Sequence, residues 1–105
     1  MRTIIATVLT LATLAFAGTA LAHTPLFSCF DNGDGTITCE GGFSDGSSAS
    51  GVGVHVFDAD GGMILDTKLD EFSEITFDKP EGDYSVQFDA GEGHSIDVAG
   101  SDIVE

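Results

Sequence analysis

The chain has 105 residues, with 18 acidic side chains against three basic ones, two cysteines and no tryptophan. That is room for one small domain. A formal net charge of −15 leaves almost nothing to neutralise phosphates, which excludes nucleic acid and an anionic membrane surface and favours cations or basic partners.

Residues 1–22 read as a secretory signal peptide. Arg2 precedes an apolar run from Thr3 to Ala17, and the small residues end in Ala20-Leu21-Ala22, an A-x-A cleavage pattern. The run is short for a membrane span. Cleavage after Ala22 leaves a single domain, residues 23–105, expected in the periplasm or secreted. It keeps all 18 acids against Lys68 and Lys79, a charge of −16. The acidity serves either function or solubility, as in a salty habitat.

The stretch CFDNGDGTITCE, Cys29 to Glu40, has the look of a calcium loop. An EF-hand loop needs oxygen ligands at positions 1, 3 and 5, Gly at 6 and Glu at 12. With Gly35 at position 6, Asn32 and Asp34 fall correctly, but position 1 is Phe30 and position 12 is Gly41. Calcium is therefore not expected. A hairpin over 26–40 accounts for more of the residues, because Asn-Gly and Asp-Gly are strong turn signals between β-forming flanks. A turn centred on Asp34 sets Cys29 opposite Cys39, within disulfide range. The bond implies an odd-length loop such as Gly33-Asp34-Gly35, with Gly35 left-handed.

Beyond the hairpin, apolar alternation dominates. The stretch 41–51 is rich in Gly and Ser and reads as a loop. In GVGVHVFD, Val52, Val54 and Val56 share one face, and His55 and Phe57 the other. In MILDTKLD, Ile64 breaks the pattern of Met63, Leu65 and Leu69, and Met63 is assigned to the core. Ile75 and Phe77 point one way, as do Tyr84, Val86 and Phe88. His94 has the parity of Ile96 and Val98. Turn signals at SDGSS, DADGG, DKPEGD and AGEG separate the runs. Six or seven short strands at this spacing predict an all-β fold, a small antiparallel β-sandwich or barrel.

The segment from Gly51 to about Ile96 resembles the carboxypeptidase-regulatory-like or transthyretin-like β-sandwiches. The likeness lies in the Gly-Val-x-Val-x-Val strand, the Asp-x-Asp-Gly turn, Asp-Glu before a Phe-rich strand, and Gly-Asp-Tyr-x-Val. Within that group the chain is similar to small periplasmic components linked to nickel or cobalt uptake transporters. Those share a mature amino-terminal His, an SDG segment (here Ser44-Asp45-Gly46) and a D-x-G-E-G-H stretch (here Asp89 to His94). The resemblance implies an accessory role beside a membrane transporter, with nickel or cobalt as the metal.

The residues bear on that chemistry independently. Cleavage would leave His23 with an α-amine beside its imidazole, a chelate for Cu²⁺ or Ni²⁺ that needs further ligands. His94 is the leading candidate, and Glu92 or Asp89 can add oxygen. The competing reading makes His23 an accident of cleavage and His94 a turn residue. His55 is expected to face solvent mid-strand. No G-x-S-x-G, H-E-x-x-H or phosphate-binding loop is present, and the cysteines are not C-x-x-C, so no enzyme is expected. The alternative to a metal-presenting accessory protein is a structural or protein-interaction module of the cell envelope, holding a partner through a sheet edge or its acidic face.

Overall fold

The computed structural model describes residues 24–105; residues 1–22, expected to be a leader, and His23 lie outside the described residues. The first element is the hairpin. Strands β1 (Pro25–Asp31) and β2 (Thr36–Phe43) pair antiparallel with Cys29 opposite Cys39. The two cysteines are disulfide-bonded. Asn32 N–H donates to Thr36 O at 3.0 Å, closing the three-residue loop Gly33-Asp34-Gly35. Gly33 and Gly35 both take positive φ, 78° and 93°, which a Cβ would oppose. The loop has the length and the left-handed Gly35 expected from the sequence.

Five further strands follow: β3 (Gly53–Asp58), β4 (Met63–Lys68), β5 (Glu74–Asp78), β6 (Tyr84–Asp89) and β7 (Ser95–Ala99), then a 3₁₀ turn at Gly100–Asp102. They form two antiparallel sheets, β1-β2-β5 and β4-β3-β6-β7. The architecture is the predicted β-sandwich. A constant-type immunoglobulin order would put the fourth strand beside the fifth. Here β4 pairs with β3 in the other sheet.

The period-2 patterns fill the space between the sheets. Ile37, Cys39 and Phe77 come from one sheet, and Val54, Val56, Tyr84, Val86 and Phe88 from the other; all are buried. Phe27 stacks on Phe88 at 5.0 Å between centroids. Ala49, Leu69 and Ile103, outside the strands, plug the ends. Each fully buried aliphatic or Phe side chain contributes about 1.5–3 kcal/mol relative to exposure.

Two local expectations need correction. Gly41, Gly42 and Phe43 belong to β2 rather than to a loop. Gly41 faces the interior, where a Cβ would stand 2.6 Å from Leu69 Cδ1 and 2.8 Å from Phe88 Cε1. The strand continues there because glycine lets the core approach its backbone. Met63 is not core: it is 53% exposed, beside Ile64 at 52%. The register passes from Val56 opposite Leu65 to Phe57 opposite Met63, so Ile64 is the extra residue of a β-bulge. That bulge is the break in alternation visible in the sequence.

Aspartates hold the turns. Asp31, Asp34, Asp45, Asp58, Asp70 and Asp89 each accept, through Oδ1, the backbone N–H two residues on. This is the Asx-turn that makes Asp favourable at turn starts. The two flanks of the sandwich differ. Along β1 and β7 the carboxyl-terminal tail laces the sheets: Val104 O accepts Asp31 N–H at 3.0 Å, and Ile103 is buried. Along β4 and β5 the seam stays open over Val56, Ile64, Leu65 and Phe77, a cleft of about 330 Å³.

Candidate functional site

The registers gather particular segments at one end of the sandwich. Pro25 lies opposite Phe43, Gly53 opposite both Lys68 and Asp89, and Asp89 opposite Ser95. Thr24, the 44–52 loop, the 69–73 turn and the 90–94 loop therefore share that end. Two hydrogen bonds fix Thr24 there. Its N–H donates to Ser44 Oγ at 3.1 Å, and Ser44 N–H donates to its carbonyl at 2.9 Å. The start of the described chain and His94 thus stand at the same end, on adjoining edge strands.

His94 is exposed on a loop turned by Gly91 and Gly93, whose φ values are 111° and 78°. Its Nδ1 lies 3.1 Å from the Glu92 carbonyl. A carbonyl only accepts, so Nδ1 carries the hydrogen and the neutral ring keeps its lone pair on Nε2. Histidines that bind metals are oriented this way, one ring N–H held by a carbonyl or carboxylate and the other nitrogen coordinating. The Glu92 side chain is exposed on the same loop.

Asp89 turns elsewhere. Its Oδ1 accepts Gly91 N–H at 3.2 Å, and its Oδ2 lies 3.2 Å from His55 Nε2. Asp66 Oδ1 stands 3.0 Å from His55 Nδ1. The His55 side chain is only 18% exposed, so the solvent-facing strand residue expected from the sequence is in fact largely covered. The ring lies over Gly53, where a Cβ would make ordinary van der Waals contact with His55 Nε2 at 3.5 Å. From β3, the ring bridges Asp66 of β4 and Asp89 of β6 across the outer face. The two carboxylates sit on opposite sides of the ring and do not converge on one point. Among the described residues, no three His, Cys, Asp or Glu side chains form a metal-holding group. Of the ligand set drawn from the sequence, His94 and Glu92 share a loop, Asp89 is drawn to His55, and His23 lies outside the described residues. The signal for the His55 network was present as an Asp on each neighbouring strand, but pairing it required the registers.

The opposite end is structural in character. Lys79 Nζ lies 2.8 Å from Asp31 Oδ2. The Lys79 ammonium and the Gly33 N–H hold the Asp31 carboxyl below the usual carboxylate range, and the bond raises Lys79. Thr36 hydroxyl and amide lower Asp34 in the same way. Burial raises the Tyr84 phenol, and its hydroxyl has no hydrogen-bond partner. The Tyr84 ring packs against Gly100, where a Cβ would stand 2.5 Å from Cε1.

No family model, curated protein or solved structure matches the chain. No described helix is long and apolar enough to cross a membrane.

Proposed function

We propose that the chain is an exported, non-enzymatic β-sandwich that binds a divalent transition metal, nickel or cobalt, and presents it to a membrane transporter. The observation that carries the reading is His94. Its Nδ1–H is held by the Glu92 carbonyl, and its Nε2 lone pair is left for coordination at the end where the described chain begins. His94 and the amino-terminal residue His23 would hold the metal, with Glu92 adding oxygen; Asp89 is engaged by His55. Export rests on the leader pattern and on the disulfide, which fits an oxidising compartment. The likeness to nickel- and cobalt-linked periplasmic components supplies the metal and the transporter.

Calorimetric titration of the protein beginning at His23 with NiCl₂ or CoCl₂ tests it. The expected result is saturable binding that weakens at least tenfold in His94→Ala. An added residue in front of His23 should have a similar effect, because it converts the amine to an amide. His55→Ala should change little. Affinity indifferent to both changes overturns the site.

A second reading, a protein-interaction module without metal, is favoured by one observation. Phe72 leaves 74% of its surface exposed on a turn that is otherwise tightly held.

A further inference from the structure

The β4–β5 turn is built to keep Phe72 out. Asp70 Oδ1 accepts Phe72 N–H at 2.8 Å and Glu74 N–H at 3.1 Å. Asp70 N–H donates to Glu74 O, and Ser73 N–H to Asp70 O. Ser73 has φ of 62°, a left-handed conformation that strains a side chain other than glycine. It is the only such residue among those described. The strained residue is also the brace. Its Oγ accepts Ala49 N–H at 3.0 Å and bonds Ser48 Oγ, and its carbonyl accepts Gly41 N–H at 2.9 Å. Ala49 is fully buried, so the turn is anchored to the core. The result is a fixed backbone carrying a ring in water.

Beside the ring lies a shallow dish of about 400 Å³, whose walls include Gly41, Gly42, Gly46, Ser47 and Ser48. Gly42 has nothing within 4 Å of a built Cβ, so its floor is open outward. Asp70, Glu71 and Glu74 flank the ring in sequence, and Asp45 lies in the neighbouring loop. A rigid aromatic beside a concave, side-chain-poor surface is the form of an interface anchor. The charge selects the occupant. A second copy, also strongly acidic, and an anionic lipid surface are both repelled; a partner with lysines or arginines around an apolar pocket is attracted.

We infer that the Asp70–Glu74 turn is a docking knob: Phe72 inserts into an apolar pocket of a partner protein, and Glu71 and Glu74 meet the basic rim of that pocket. This deepens the interaction reading and does not depend on metal binding.

The test uses the full chain in its own cell envelope, with p-benzoylphenylalanine placed at position 72 or, separately, at position 64 on the other exposed apolar turn. Irradiation should give one protein adduct from position 72. That protein, purified, should bind the wild-type chain saturably. Phe72→Ala should weaken binding about 30-fold, as for an aromatic hot spot. Glu71→Lys with Glu74→Lys should slow association and flatten its salt dependence. Metal removal should leave binding intact. The knob is overturned by the absence of an adduct from 72, by an adduct to a second copy or to lipid, or by a captured protein indifferent to Phe72→Ala. Adducts from 64 alone would keep the interaction reading and remove Phe72 from it.

Discussion

Asp34 shows how an acidic residue in this chain does its work. Its Oδ1 accepts the Thr36 amide at 3.0 Å and the Thr36 hydroxyl at 2.6 Å. Those bonds favour the carboxylate, so the folded pKa lies below 3.8. A lowered folded pKa means that the contribution is complete above the unfolded value and is lost as pH falls through the folded one. Asp34→Ala should therefore lower the melting temperature near neutral pH, and the deficit should close below about pH 4. Thermal melts of both proteins over a pH series check this. Comparing the two cancels the relief of net repulsion that acid brings to any strongly acidic chain. A deficit that is constant with pH would mean that the carboxylate is not the acting group. The sequence shows these aspartates as turn residues and as candidate ligands alike. What separates the roles is the amide two residues ahead, and its position is fixed only once the backbone turns.

At the scale of elements, alternation made the strands readable, and DNGDG between two cysteines gave the hairpin, its register and its bond. The disulfide joins strands already paired, with a sequence separation of 10. In the chain-entropy account it should still stabilise by about 2–3 kcal/mol, because it shortens the unfolded chain. Urea unfolding with and without reductant, and of a Cys29→Ser/Cys39→Ser variant, should show that loss as a lower midpoint. Equal midpoints would mean that hairpin pairing alone holds the register. Glycine hid the end of β2, since Gly41-Gly42 looks like a loop until Leu69 and Phe88 are seen against it. The bulge at Ile64 was visible as an irregularity and not as a bulge, because its partner strand supplies the missing count.

For the whole molecule, sheet membership was the least legible feature. Which sheet receives β4 depends on long-range pairing that no local pattern encodes. The His55 network fell out of reach for the same reason: Asp66 and Asp89 are 11 and 34 residues away from the histidine. The flank laced by the tail carries a prediction. Ile103 is 6% exposed between the sheets, so Ile103→Ala should cost about 2–4 kcal/mol by chemical denaturation. A cost below about 1 kcal/mol would mean that the tail lies on the sandwich without closing it. The turn aspartates have one more effect. Because turns sit where strands end, their carboxylates collect at the two ends of the sandwich, and each end becomes a negative pole. Such a field raises the local concentration of cations and speeds their arrival by roughly 10–10³, fading with salt. A divalent ion diffusing past would be drawn to the poles rather than to the waist, and at one of them it would meet the His94 imidazole.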